Sequence, residues 1–284
     1  MFKTDQPDRS TRDAILALAA ELETADGTGP LNESATLVVR GERPGTFYIS
    51  LADDVLAGFA VADPREATIV AGVRPSHRRR GLGSGLLSAA LDDFGDYSVW
   101  AFGTQPGAVG LAEHLGLVAA RGLLKLGRAL GEERVGPIPE GYRITTYHDS
   151  DAEQVVAVNA AAFAHHPEQG KLTVEEFHGL TLQPWFSPEG LFVGRQGDEV
   201  AGFHWTKRHD ADNGEVYVLA VHPDHGGVGL GRVLLETGLA HLEDIGCKAV
   251  HLYVEAEAQR VVRMYRSANF EQINLDTSYR REDA

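Results

Sequence analysis

Val73-Arg-Pro-Ser-His-Arg-Arg-Arg-Gly-Leu-Gly-Ser-Gly-Leu-Leu87 recurs in the same chain as Val221-His-Pro-Asp-His-Gly-Gly-Val-Gly-Leu-Gly-Arg-Val-Leu-Leu235. The copies agree at the opening valine, at Pro75 and Pro223, and at His77 and His225. They agree again through Gly81-Leu82-Gly83 and Gly229-Leu230-Gly231, and at the closing leucine pair. Each follows a β-branched apolar run, Thr68–Val73 or Val216–Val221, and opens an amphipathic one, Leu86–Phe94 or Val233–Ile245. That order reads as strand, glycine-rich turn and helix N-terminus, which offers backbone N–H groups and a positive dipole end to an anion. The flanks repeat as well. Val55-Leu-Ala-Gly-Phe59 and Glu199-Val-Ala-Gly-Phe203 precede the turns, and helices over Ala108–Leu115 and Ala258–Ala268 enter strands over Leu117–Arg128 and Glu271–Tyr279. The chain is predicted to be a duplicated domain with two phosphate cradles.

Composition bounds what such a protein does. A chain of 284 residues has room for two domains of roughly 140 residues, each with its own core. Its apolar share of 43% and charged share of 24% place it among globular proteins. No apolar run reaches the length of a membrane span, and Met1 to Arg12 is polar, unlike a secretion signal. Cys247 stands alone, so an internal disulfide is excluded and a structural zinc site is not expected. A cytoplasmic, monomeric protein is the expectation. The formal charge of −15 disfavours nucleic acid or an anionic membrane as partner. A small anion remains open, and Arg78-Arg79-Arg80 at the first turn inverts the charge locally.

Gly131 to Gly141, with two prolines and several charges, reads as a linker, which divides the chain into domains 1–133 and 134–284. The second half has the clearer pattern. Tyr142–Tyr147 alternates as a strand, Asp149-Ser150-Asp151 caps a helix over Ala152–Phe163, and Thr173-Val-Glu-Glu176 is a capping box. Strands are predicted over Leu191–Arg195, Val200–Lys207, Glu215–Val221 and Ala249–Val254. The order β-α-α-β-β-β-α-β-α-β is mixed α/β with an antiparallel meander before the turn. The first half reads as a shorter version of it, with weaker signals at its start.

The turn's place after a fourth strand disfavours a dinucleotide fold, whose glycines follow the first strand. Gly83-Ser84 and Gly231-Arg232 also lack the Gly-Lys-Ser/Thr ending of a P-loop. What remains is a pyrophosphate cradle between strand and helix. Here the chain resembles the GNAT acetyltransferase superfamily, whose Gln/Arg-x-x-Gly-x-Gly/Ala turn holds the pyrophosphate of acetyl-CoA. Arg78-Arg-Arg-Gly81-Leu-Gly83 matches that pattern in full; Gly226-Gly-Val-Gly229-Leu-Gly231 departs from it at Gly226, with Arg232 nearby as a source of charge. The resemblance implies two tandem GNAT domains, each a mixed, largely antiparallel sheet flanked by helices.

A closer resemblance covers most of the chain. Ala162-Phe-Ala-His-His-Pro-Glu-Gln-Gly170, Pro184-Trp-Phe186, Gly202-Phe-His-Trp-Thr-Lys207 and Gly214-Glu-Val-Tyr-Val218 resemble the mycothiol synthase family, which acetylates the cysteinyl amine of cysteinyl-glucosaminyl-inositol from acetyl-CoA. The resemblance implies an acetyl-CoA site in the first half at Ala71, Gly72, Val73, Arg79, Arg80, Gly81, Leu82, Gly83 and Ser84. In the second half it implies one at Leu219, Ala220, Val221, Gly226, Gly227, Val228, Gly229, Leu230, Gly231, Arg232, Ala258, Arg260 and Arg263. Glu33, Glu168, Lys207, Glu215 and Tyr253 match the positions that contact substrate.

Glu215 opens the fourth strand, where a period of two puts it on a face with Tyr217, Leu219 and Val221. By itself a carboxylate there is a solvated strand end; the resemblance makes it the general base for the substrate ammonium. Tyr265, in Val262-Arg-Met-Tyr265, would otherwise be core, and the resemblance makes it the acid that protonates the departing thiolate. Ala256 to Gln259 replaces the acid-Asn pair usual just before that helix. The backbone N–H of Leu219 is the expected oxyanion donor. In the same registers the first half has Ala67, with Glu66 on the other face, and Ala112, so it keeps a cradle without catalysts. His165-His166 with Glu168 could suggest a metal, but the chemistry needs none, and no metal is expected. Cys247 reads as a packed small residue, and with no nucleophile beside the cradle the transfer is expected to be direct. Two other readings stay open: a tandem acetyltransferase for another small amine, and a non-catalytic acetyl-CoA sensor.

Overall fold

The structure, a computed structural model, describes residues 1–164 and 169–282. Its first run of elements is β1 (Phe2–Thr4), α1 (Arg9–Asp26), α2 (Glu33–Arg40), β2 (Thr46–Ala52), β3 (Val55–Asp63), β4 (Thr68–Val73), α3 (Leu82–Asp93), β5 (Ser98–Ala101), α4 (Pro106–His114) and β6 (Leu117–Ala129). The second is β7 (Tyr142–Thr146), α5 (Ala152–Ala162), α6 (Val174–Thr181), β8 (Leu191–Gln196), β9 (Glu199–Arg208), β10 (Asn213–Val221), α7 (Leu230–Asp244), β11 (Ala249–Glu255), α8 (Gln259–Ser267) and β12 (Glu271–Arg281). Both runs follow the order read from the second half, and the first is complete rather than shortened. Its opening helices start on side-chain caps: Asp8 accepts from the Thr11 N–H and Asn32 from the Ala35 N–H. Both end on left-handed glycines, Gly27 and Gly41.

Contacts divide the chain into two compact units that cross the expected 133/134 boundary. One unit holds Met1–Leu124, Glu255–Glu257 and the segment from Asn274 onward; the other holds Lys125–Val254 and Ala258–Ile273. The reason is the long last strand of each run. In the first unit the sheet order is β1-β2-β3-β4-β5-β12, with β12 joining β5 through Thr277 opposite Ala101 and Tyr279 opposite Val99. In the second unit it is β6-β11-β10-β9-β8-β7. Each unit thus closes its sheet with a strand from the other run.

In the first unit Ile15, Leu18, Val38 and Phe59 fill one face of the sheet, and Ile69, Leu86, Leu91 and Tyr279 the other. In the second, Val155, Phe177, Phe203 and Trp205 form one core, and Phe192, Ala201, Val233 and Leu234 the other. Thr173 makes the expected capping box with Glu176. Asp151 does not cap α5. It is buried, accepting from the His148 N–H and pairing with Arg195 at 2.6 Å, so a charge that read as a cap serves as a buried ion pair.

His204 contributes a pH dependence to this core. It is fully buried between β9 and α7, with Nδ1 on the Leu234 carbonyl oxygen at 2.8 Å. A Cβ on Gly238 would fall 2.2 Å from its ring, so α7 needs glycine there. Burial lowers the His204 pKa to about 4. The imidazole is therefore neutral in the fold and takes up a proton on unfolding below its ordinary value of about 6.5. Stability is full above that value and falls, by roughly 1.4 kcal/mol per pH unit from this residue, down towards pH 4. Urea denaturation between pH 7 and 4.5 is expected to show that fall, and His204→Asn to make it shallower while the neutral His251 keeps its own share. Equal slopes for the two proteins would remove His204 as the cause.

Candidate active site

In the second unit a wedge opens beside the glycine turn. β10 and β11 run parallel and pair only at Asn213 with Ala249, Gly214 with Val250 and Glu215 with His251. Past that point, among the described residues, β10 keeps only β9 as a partner, so the edge carrying Leu219, Ala220 and Val221 faces the gap. The chain then turns through Gly226, left-handed Gly227 and Val228 to Gly229, whose φ of 94° makes it the left-handed N-cap of α7. No side chain caps that end, which leaves the N–H groups of Leu230 and Gly231 directed outward, while the Arg232 N–H turns back to the Gly229 carbonyl at 3.2 Å. A Cβ on Gly231 would lie 3.3 Å from Val221, so glycine lets helix and strand approach. Arg232 is tied to Glu236 at 2.8 Å, which offsets the charge expected of it. Arg260 and Arg263 are exposed on α8, and Ala258 precedes it without a side-chain cap.

The first unit repeats the wedge. β4 and β5 pair only at Thr68 with Ser98 and Ile69 with Val99. A cavity of about 690 Å³ follows, walled by Ala71, Gly72, Val73, Arg79, Gly81, Leu82, Gly83 and Ser84 on one side, and by Trp100, Ala101 and Phe102 on the other. Gly81 is the left-handed N-cap of α3, the counterpart of Gly229. Arg78, which completes the sequence motif, braces the turn: its guanidinium grips Asp26 at 2.6 and 2.8 Å and the Val73 carbonyl at 3.0 Å. Arg79 reaches the cavity wall, and Arg80 is exposed outside it. At the position matching Glu215, Ala67 sits in the left-handed region, in the turn before β4. Glu66 pairs with Arg43, and Ala112, opposite Tyr265 in the repeat, is buried on α4.

A β-bulge between Val216 and Val218 corrects the face expected for Glu215. Glu215 stands opposite Lys207 and Val218 opposite Trp205, so the strand's alternation slips by one at Tyr217. Glu215 therefore shares its face with Val218 and Ala220, while Leu219 and Val221 pack on the opposite face with Leu230 and Leu234 of α7. Only Tyr217 of the expected companions stays on the Glu215 side, packed with Trp205 and Trp185. Leu219 keeps its place at the wedge through its backbone, which does not depend on the face its side chain takes.

Glu215 is 8% exposed, and its Oε2 lies 2.6 Å from His209 Nε2. Lys207 Nζ sits over the rings of Trp185, at 4.5 Å, and Tyr217, at 4.9 Å. On β11 His251 stacks on His209 and meets Tyr253 edge-on, and Lys125 lies over Tyr253. Burial lowers the His251 pKa to about 4, keeping the ring neutral. The structure thus brings Glu215, Lys207 and Tyr253 onto one patch. Tyr265 is buried on α8 against Phe270, and burial raises its pKa well above the ordinary value, so the hydroxyl stays protonated. Glu33 is exposed at the first turn of α2, and Glu168 lies outside the described residues, as do His165 and His166. Cys247 is buried and its thiol pKa is raised by burial, the reverse of what a nucleophile needs. His209 and His251 were missed in the sequence, although His251 lies two residues from Tyr253 on a strand of period two and His209 lies two residues past Lys207, just beyond the end of β9.

Two wedges, each with a parallel strand pair that parts beside a left-handed glycine N-cap, define a tandem acyl-CoA-dependent transferase. The sequence model of the Acetyltransferase (GNAT) family matches residues 16–117 and 160–270. A GCN5-related N-acetyltransferase from Sphaerobacter thermophilus has the same fold, with a TM-score of 0.74 at 21% identity over 98% of this chain and 94% of that one. A tandem GNAT protein from the clavulanic acid biosynthesis pathway superposes with a TM-score of 0.73 at 17% identity, covering 98% of this chain and 96% of the other. The mycothiol acetyltransferase of Propionibacterium freudenreichii subsp. shermanii is 42% identical over 94% of this chain and 88% of its own length. The chain belongs to the mycothiol acetyltransferases, within the GNAT family, and is an acetyl-transfer enzyme with a small-molecule substrate. No helix among the described residues is long and apolar enough to cross a membrane.

Proposed function

We propose that the second unit transfers acetyl from acetyl-CoA to the cysteinyl amine of cysteinyl-glucosaminyl-inositol, and that the first holds acetyl-CoA without turning it over. The observation that carries this is Glu215 at the point where β10 and β11 part. There a carboxylate faces the amine while the N–H groups of Leu230 and Gly231 face the pyrophosphate. Glu215 takes a proton from the substrate ammonium, directly or through water, because only the neutral amine attacks a thioester. The Leu219 N–H donates to the oxyanion of the tetrahedral intermediate. The Tyr265 hydroxyl gives its proton to the leaving sulfur. Lys207, Tyr253, Glu168 and Glu33 hold the polyol by charged and polar hydrogen bonds. The enzyme acts as a cytoplasmic monomer, and its repeats divide near residue 133. A CoA-release assay with cysteinyl-glucosaminyl-inositol and unrelated small amines tests the substrate. Strong preference for the pseudodisaccharide is expected, and equal rates on all amines would overturn it.

In the first unit the cavity and Arg79 favour the pyrophosphate, yet Ala67 and Ala112 stand where base and acid would be needed. Acetyl-CoA there is a stabilising ligand. A ligand bound only by the folded state raises stability by about 2.7 kcal/mol at a hundred times its Kd. Replacing Arg79 and Arg80 with Ala is expected to reduce the rise in melting temperature given by acetyl-CoA while sparing the turnover of folded enzyme. An unchanged ligand-induced shift would remove the arginines from that site.

A further inference from the structure

The three groups around the base offer more than proton transfer. His209, Glu215 and His251 each present a ligand atom, and these atoms lie within 4.8 Å of one another. Their positions follow from the sheet. Glu215 and His251 are direct neighbours across the parallel β10–β11 pair, and His209 follows β9, which flanks β10 on its other side. The cluster stands at the mouth of the wedge, where His209 is partly exposed and gives an ion a path from solvent. Two imidazoles and one carboxylate form the three-ligand set that leaves a fourth tetrahedral position open.

We propose that His209, Glu215 and His251 form an inhibitory site for a divalent transition ion, with Zn2+ as the representative ion. The inference rests on the reading of Glu215 as the base: a carboxylate oxygen that coordinates a cation cannot accept a proton from the substrate. Zinc bonds of about 2.0–2.2 Å to nitrogen and oxygen set donor atoms roughly 3.3 Å apart in a tetrahedron. His209 Nε2 and Glu215 Oε2, now 2.6 Å apart, need only move slightly apart to admit the ion. His209 then carries its ring proton on Nδ1, and water or the substrate amine takes the fourth position. Lys125 and Lys207 add positive charge nearby, which weakens any cation, so only an ion that nitrogen donors hold strongly is expected to bind. Mg2+ and Ca2+, which need several hard oxygen ligands, find only one carboxylate here.

The test measures zinc binding and turnover separately on the full chain. Calorimetric titration of chelator-treated enzyme with Zn2+ is expected to give one site in this unit, weakened about 10–100-fold or more in His251→Leu. His209→Asn, at a more exposed position, is expected to weaken it likewise, so the result does not hang on one variant's folding. Micromolar Zn2+ is expected to inhibit the wild type reversibly, with recovery on adding a chelator. Whatever turnover His251→Leu has without zinc is expected to be insensitive to the ion. Equal zinc affinity in wild type and both folded variants, or no binding in the wild type, would overturn the proposal. Binding that both variants lose, without any effect on wild-type turnover, would leave the metal site standing and overturn Glu215 as the base.

Discussion

Glu215→Ala is expected to slow turnover by about 10²-fold or more near neutral pH, since general-base contributions are typically 10²–10⁴. The loss should shrink as pH rises, because a substrate amine that is already neutral has no proton to lose. The effect belongs in kcat more than in the acetyl-CoA requirement, as the N–H groups proposed to hold the cofactor lie beyond Val221. Some loss of stability should accompany it, because the carboxylate is buried and its bond to His209 is lost, so the rate is read per folded molecule. An unchanged rate across the pH range would remove this residue from the mechanism.

Tyr265→Phe is expected to lower kcat by about 10²-fold. Burial keeps the hydroxyl protonated well beyond neutral pH, so it can donate to a thiolate whose own affinity for protons is ordinary, with a pKa near 8.5. The defect should narrow at high pH, where CoA leaves as a stable thiolate and needs no donor. Packing is conserved in the phenyl ring, and the contact with Phe270 at 5.6 Å survives. A loss in acetyl-CoA affinity with kcat intact would make Tyr265 a packing residue instead.

Much of this architecture was legible because glycine spacing and strand period are local. The paired turns announced the duplication, and the strand and helix order of the second half is the order found. Thr173 with Glu176 read correctly as a capping box since both partners lie within four residues. Four features were not legible, each because it depends on distant chain. The exchange of β6 and β12 between units needs the sheet edges to be known. The bulge at Tyr217 leaves no mark in the period of β10, yet it moves Leu219 and Val221 off the Glu215 face. Asp151 looked like a cap because its partner, Arg195, is far off in sequence. Likewise Arg78 matched a cofactor motif, and only the fold reveals Asp26 as its anchor.

The central claim is that chemistry belongs to the second wedge and storage to the first, and matched damage to the two cradles tests it most directly. Gly81 and Gly229 are both left-handed N-caps, with φ of 81° and 94°, so valine strains each in the same way. Losing charge-assisted hydrogen bonds worth about 1.5–3 kcal/mol corresponds to a roughly 10–100-fold change in affinity. CoA release by the folded fraction of each variant, measured against acetyl-CoA concentration, should show that requirement rise in Gly229→Val and stay near wild type in Gly81→Val. The opposite pattern, with Gly81→Val crippled and Gly229→Val intact, would contradict the assignment of the active unit.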